Sequence, residues 1–345
     1  MKVVEVLEPG ELQISERLMP FISQANEVIV KIKAAGICGS DMQVYNGENP
    51  FASYPRVLGH ELAGEVYQVG ADVKGLNIGN RVVIDNVISC GQCYACRSGR
   101  YNVCKNVKVL GVHVDGGYCE YLKVSADRVY KLSQDISWED AATVEPYSIA
   151  AQVLSRGGLK EGESVLVCGA GPIGLVITQA AKRIEGVRVA VLDIVESRLE
   201  KAKECGADLV INSSKVDVIE TIKQYTGGEG ASLIIEATGN IKVLELCVSQ
   251  LASQAGRIIV LGFLREYAGI SPYDIMRREL DIIGSRLNNK KFPEAIKWLT
   301  NKEVDPSKII SHTFYFEEAG QAMQLIKQKP NEVCKVILKF YRETA

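Results

Sequence analysis

The clearest chemical spacing in this sequence belongs to four cysteines. Cys90-x2-Cys93-x2-Cys96-x7-Cys104 gathers four thiols into fifteen residues of a Gly-rich, polar segment. Tetrahedral zinc takes four such ligands at ~2.3 Å, and four sulfurs leave no open position, so the pattern predicts a closed, structural metal site. An iron–sulfur cluster shares the Cys-x2-Cys-x2-Cys run, but its fourth cysteine ordinarily precedes proline, and here Lys105 follows Cys104. A redox Cys-x-x-Cys pair leaves the other sulfurs unexplained.

A second constellation is Gly169-x-Gly171-x-x-Gly174, with Pro172 and Ile173 inside it. It follows an apolar run, SVLVC, and opens a helical pattern. Glycines at that spacing allow a tight turn, close approach of a pyrophosphate, and close helix–strand packing, while the helix N-terminus favours phosphate. Asp193 ends the next apolar run, 19 residues after Gly174. A carboxylate there suits the two ribose hydroxyls of NAD and repels the extra phosphate of NADP. No Arg or Lys follows it immediately, so NAD is the predicted cofactor, with Arg198 a further candidate contact.

A third set is dispersed: Cys38 in GICGSD, His60 and Glu61 in GHE, and Glu145 before Pro146. All are zinc-ligand types, and an incomplete protein shell leaves a position for substrate. Spacing alone does not group them, since a single Cys, His or Glu is more often structural.

The elements that position these residues change in texture near residue 155. Before it lie short β-branched runs broken by Gly and Pro, such as EVIVKIKAAG and GNRVVIDNVIS, which read as antiparallel strands. From Glu163 strands and helices alternate, six apolar strands in all, as in a doubly wound parallel sheet. The predicted fold class is therefore α/β: a mainly-β catalytic domain over 1–154, carrying a metal lobe at about 88–106, and a Rossmann domain over 155–285. Residues 286–345 are expected to return to the first domain, making it discontinuous.

Bulk properties agree. A length of 345 residues suits two domains. With 40 basic and 42 acidic residues, the formal charge of −2 gives no reason to expect nucleic acid or an anionic membrane as partner. The opening MKVVEVLEPGELQISE is too broken by charge and proline for a signal peptide, and no uncharged apolar stretch is long enough to span a bilayer. A cytoplasmic location is expected. Ten cysteines in such a chain do not suggest a disulfide scaffold.

GICGSD, GHELAGEV, the four-cysteine lobe, the EP pair and VCGAGPIG occur in the order found in zinc-dependent medium-chain alcohol and polyol dehydrogenases, and the resemblance spans essentially the whole chain. It implies a GroES-like catalytic domain, a Rossmann domain, an active site in the cleft between them, two zinc ions per chain, and a homodimer or homotetramer. Carried over, Cys38 and His60 look like catalytic-zinc ligands, Glu61 like the acidic residue that ligates directly or transiently, and Glu145 like the glutamate that holds the metal directly or through water. Ser40 relays the substrate proton. Ethanol-type enzymes have Cys where this chain has Glu145, which argues for the polyol or sugar branch. Where many members carry a histidine, this chain has Gln43 and Tyr45, so the family's outer proton path is not carried over. Segments around His113, Arg286 and Asn288 resemble bacterial sugar-acid dehydrogenases such as those for L-galactonate. Tyr45, His113, Arg286 and Asn288 are thus substrate candidates, Arg286 as the cation for a carboxylate. Lys335 falls where relatives place a cofactor-phosphate contact.

The chemistry is consistent in magnitude. Zinc moves the pKa of an oxygen ligand from ~16 to roughly 7, on the order of 12 kcal/mol. A positioned general base contributes about 3–5 kcal/mol. Rival readings are a threonine 3-dehydrogenase, a sorbitol-type polyol dehydrogenase and a non-catalytic NAD-binding regulator. A zinc-ribbon nucleic-acid binder is excluded by the negative formal charge.

Overall fold

The computed structural model describes residues 1–263 and 266–342. It divides into two compact units. The first comprises Met1–Ser148, Asn288–Lys302 and the chain from Ile310 onward; the second comprises Ile149–Leu287 and Glu303–Ile309.

The first unit is mainly β. Its largest sheet runs Val129–Lys131, Arg81–Ile84, Glu61–Val69, Glu27–Ile37, Lys335–Lys339, Ile310–Tyr315, and Tyr121–Ser125 also pairs with Glu27–Ile37. Most neighbours are antiparallel; Ile310–Tyr315 and Lys335–Lys339 run parallel. The long central strand Glu27–Ile37 is almost wholly buried, which suits its Val, Ile and Ala content. Its register sets Gly36 opposite Glu61 and Ile37 opposite Val336, so Glu61 and Lys335 flank one end of it.

The lobe is a short excursion from this unit. Val87–Ile88 pairs with Lys108–Val109, and between them lie one turn of α-helix, Tyr94–Arg97, and a 3-10 turn, Tyr101–Val103.

The second unit holds six parallel strands in the order Leu209–Asn212, Arg188–Asp193, Ser164–Cys168, Ala231–Glu236, Ala252–Val260, Asp281–Gly284. The order reverses between the first strand in sequence and the fourth, which creates a crevice at the carboxyl ends of Ser164–Cys168 and Ala231–Glu236. The strands Ser164–Cys168 and Ala231–Glu236 are buried continuously over 165–168 and 233–236 because both faces of the sheet are covered.

Two local readings change. The run KVLELCVSQLA, one helix by pattern, is an α-helix over Ile241–Leu246 followed by a π-turn at Cys247–Leu251. Arg278 donates to the carbonyls of Val248 and Ala252 there, a tertiary contact that periodicity does not reveal. The return of 286–345 is also interrupted, since Glu303–Ile309 belongs to the second unit. Gln179 donates to the Asp305 carbonyl (3.1 Å) and accepts from the Asp305 N–H (2.7 Å), and Arg183 pairs with Glu303.

Candidate metal centres and dinucleotide turn

In the lobe, the four cysteine sulfurs lie within 4.8 Å of one another. Cys93 Sγ is 3.5 Å from Cys96 Sγ and 3.8 Å from Cys104 Sγ, and Cys104 Sγ is 3.4 Å from Cys90 Sγ. A tetrahedron with Zn–S of ~2.3 Å has edges of about 3.8 Å, so the cradle fits zinc. The sulfurs are too far apart for a disulfide, whose S–S bond is ~2.05 Å. Backbone amides of Cys90 and Asn106 point at Cys104 Sγ (3.3 and 3.4 Å). Amides of Cys96 and Lys105 draw the Cys93 thiol down to about 6.

The second donor cluster is Cys38, His60 and Glu61, again within 4.8 Å of one another. Cys38 caps the helix Gly39–Tyr45, which supplies Ser40 and Asp41 in its first turn and buried Tyr45 at its end. His60 is 4% exposed and Glu61 fully buried. His60 Nδ1 lies 3.3 Å from Asp41 Oδ1, and Nε2 lies 3.3 Å from Ser40 Oγ. Asp41 is itself fixed by the N–H groups of Cys38 (2.9 Å) and Gly59 (3.3 Å), and the Tyr118 hydroxyl lies 3.1 Å from its Oδ2. A carboxylate behind one ring nitrogen orients the imidazole and makes the other nitrogen a better ligand. Burial opposes a proton on His60, yet Asp41 and Cys38 hold its pKa well above the usual value. The negative potential that retains that proton also attracts a divalent cation, so the donor set fits zinc. Sequence reasoning passed over Asp41, although it closes the GICGSD motif, and Tyr118, because their roles are contacts with His60 and Gly36 that only the fold shows.

Glu61 makes the deepest ion pair of the unit. Lys335 Nζ donates to Oε1 (2.6 Å) and Oε2 (2.8 Å), and to the carbonyl of Ile37 (3.1 Å). Gly36 makes this possible: a Cβ there would stand 1.9 Å from Glu61 Oε2. An ammonium has three donors, and all three are engaged. This corrects the reading of Lys335 as a phosphate contact. Burial alone would lower the Lys335 pKa, but the adjacent carboxylate raises it instead.

Glu145 lies in the first turn of the helix Val144–Gly157, 5% exposed. It is not part of the compact three-residue cluster, although the charges of His60, Glu61 and Lys335 all act on it. Burial pushes its carboxyl up to about 7. Its Oε1 accepts from Asn86 Nδ2 at 3.0 Å.

The substrate candidates separate. Asn288 is 1% exposed, and its Nδ2 donates to Asp85 Oδ1 (3.2 Å) and Asn86 Oδ1 (3.5 Å). Its amide is used internally, which corrects its reading as a substrate contact. His113 is half-buried, accepts at Nδ1 from the Val109 N–H (3.2 Å), and stacks on Phe51 with centroids 5.4 Å apart. Arg286 belongs to the second unit and is half-buried beyond Asp281–Gly284.

In the second unit, the glycine turn has the geometry its spacing implies. Gly169 has φ +105°. A Cβ on Gly174 would meet the Gly169 carbonyl at 1.9 Å, whereas one on Gly171 would meet nothing within 4 Å. Gly171 thus faces open space at the N-terminus of the helix Pro172–Lys182, where a pyrophosphate can approach. Ile173 is half-buried in its first turn. Asp193 stands beside this turn: Oδ2 accepts from Ala170 N (2.8 Å), and Oδ1 from Ile194 N and Val195 N (2.7 and 2.9 Å). The carboxylate is therefore also a structural cap. Arg198 is half-buried in the helix Glu196–Glu204.

A mainly-β unit bearing one closed four-thiolate cradle and one Cys-His-Glu cluster, with a separate dinucleotide unit, defines a zinc- and nucleotide-dependent oxidoreductase. Residues 24–134 match the alcohol dehydrogenase GroES-like domain, and residues 172–301 match the zinc-binding dehydrogenase family. Starvation-sensing protein RspB of Escherichia coli K12 is 45% identical over 99% of both chains. A crystal structure of RspB from E. coli CFT073, complexed with NADH, shares 43% identity over 99% of both chains, with a TM-score of 0.93. Sorbitol dehydrogenase of Bacillus subtilis is 33% identical over 98% of this chain and 97% of its own length. L-Galactonate-5-dehydrogenase of E. coli K12 is 32% identical over 99% of both. The chain belongs to the zinc-binding alcohol dehydrogenase family and is an NAD-dependent oxidoreductase of the alcohol and polyol type. No helix among the described residues is long and apolar enough to cross a membrane.

Proposed function

We propose that this enzyme oxidises a secondary hydroxyl of a sugar acid, a hexonate such as L-galactonate, and reduces NAD. The observation that carries the catalytic part is the Cys38–His60–Glu61 cluster, with His60 and Glu61 buried, Cys38 half-buried and Ser40 Oγ 3.3 Å from His60 Nε2. When bound, zinc supplies Lewis acidity toward the substrate hydroxyl and NAD accepts the hydride. Cys38, His60 and Glu61 would hold the metal, Asp41 keeps the imidazole oriented, and Lys335 pairs with the Glu61 carboxylate where almost no solvent reaches. Ser40 Oγ, 3.3 Å from His60 Nε2, is the group in position to hydrogen-bond the substrate hydroxyl. Gly169, Gly171 and Gly174 shape the pyrophosphate turn, Asp193 offers remaining carboxylate lone pairs to the ribose, and Arg198 lies on the following helix as a further contact. The lobe would hold a second, structural zinc.

The sugar-acid part is supported by the likeness to L-galactonate-5-dehydrogenase and by Arg286 as a cation for the distal carboxylate. Tyr45 and His113 are the proposed companions on the substrate side. Self-association as a homodimer or homotetramer is part of the same reading: Asp281–Gly284 is an edge strand with Ile282 38% exposed, and Tyr273 and Met276 are 62% and 66% exposed. The test is NADH formation by zinc-loaded enzyme over hexonates, sorbitol, xylitol and L-threonine. The expected result is a higher kcat/KM for a hexonate, with Arg286→Ala raising KM for the acid at nearly unchanged kcat. Preference for a neutral polyol or for threonine overturns the sugar-acid reading and leaves the zinc and NAD assignments standing.

A further inference from the structure

Four buried polar side chains form a directed line in the first unit: Asp85, Asn288, Asn86 and Glu145. The direction is set at one end. Asn288 Oδ1 accepts from the Lys291 N–H at 3.4 Å, so its amide nitrogen faces Asp85 Oδ1 and Asn86 Oδ1. Asn86 must present its oxygen to that nitrogen, and its own Nδ2 is thereby aimed at Glu145 Oε1 at 3.0 Å. Neither amide can flip without setting donor against donor or acceptor against acceptor. Asn86 is 0% exposed and its carbonyl accepts from Leu110 N at 3.1 Å, so its backbone is tied as well.

We propose that Asn86, braced by Asn288, is the positioning residue for Glu145. It engages one carboxylate oxygen and leaves the other to face the catalytic metal or the substrate hydroxyl. A neutral donor suits this task. It orients the carboxylate through a single hydrogen bond, and an acidic side chain in its place would repel Glu145. Outer hydrogen-bond partners of this kind commonly change metal affinity by about 10–100-fold. The assignment rests on the reading of Glu145 as part of the catalytic metal centre.

The experiment measures zinc retained per chain in purified enzyme over a series of chelator concentrations, together with the visible spectrum of the cobalt(II)-substituted protein. Native enzyme is expected to hold two ions. Asn86→Ala is expected to release the activity-linked ion at roughly 10–100-fold lower chelator, to alter its cobalt spectrum, and to keep the lobe ion. Asn86→Asp should release it more readily still, Asn86→Ser should recover part of the affinity through its hydroxyl donor, and Asn288→Ala should give a smaller change in the same direction. If Asn86→Ala does not fold, Asn288→Ala decides by the same readout. A folded variant with unchanged metal retention and spectrum, or equal weakening of both ions, overturns the assignment. Native enzyme that holds only the lobe ion overturns the metal-centre reading, and this assignment with it.

Discussion

Lys335 Nζ lies 2.6 and 2.8 Å from the two carboxylate oxygens of Glu61, with both side chains almost entirely excluded from solvent. The pair is joined across the gap left by Gly36, between strands on either side of Glu27–Ile37. Removing one member of such a pair leaves an uncompensated buried charge, which costs about 3–5 kcal/mol. Lys335→Ala is therefore expected to lower unfolding stability by that order in chemical denaturation. A variant of native stability whose only defect is a raised KM for NAD would restore Lys335 to the role of phosphate contact.

The lobe predicts a separation of stability from chemistry. Cys93→Ser removes one of four mutually close sulfurs. Metal analysis should fall from two ions per chain to one, and thermal stability or assembly should fall more than kcat of the enzyme that survives, because metal binding there is folding free energy. Bound iron with a charge-transfer band would contradict the zinc assignment.

Asp193 has a double task, so its replacement should show both parts. Asp193→Gly removes acceptors for Ala170, Ile194 and Val195 N–H as well as for ribose. The preference for NAD over NADP should weaken by about 1–3 kcal/mol, roughly 5–150-fold in kcat/KM ratio, with a lower melting temperature. Equal use of NADP by native enzyme would refute the ribose assignment.

Glu27 gives an acid-side expectation. The N–H groups of Ser23 and Gln24 and the Ser23 hydroxyl donate to its Oε2, and Lys123 lies 3.3 Å from Oε1; together they hold the carboxyl at about 2 rather than 4.5. A lowered pKa in the folded state stabilises above the unfolded value and loses that contribution as pH falls through the folded one. The melting-temperature difference between native protein and Glu27→Gln should be full above pH 4.5 and vanish towards pH 2. A difference independent of pH over that window would mean the charge plays no part.

What sequence alone determined was local in origin. Four sulfurs within fifteen residues need only a short loop to meet, and loop closure over so few residues is inexpensive. The glycine turn is likewise a backbone property: Gly169 and Gly174 are required by a positive φ and a 1.9 Å approach that the spacing already implies. Alternation of six apolar strands with helices sufficed for the doubly wound sheet. The dispersed ligands were grouped by resemblance rather than by any spacing rule.

Tertiary structure decided which dispersed polar groups meet. Lys335 and Glu61 are separated by 274 positions, and Asn288 and Asp85 by 203. The Lys335–Glu61 contact depends on strand register, and a slip of one residue would turn either side chain to the opposite face; Asp85 and Asn288 lie in loops that only the assembled unit brings together. Sequence pattern can mark such residues as charged or polar, but it cannot say that Lys335 will be enclosed with Glu61 rather than meet a phosphate, or that Asn288 will brace Asn86 rather than meet substrate. Burial decides, because a polar group taken from water must find its partner inside the protein, and only the assembled fold shows which partner that is.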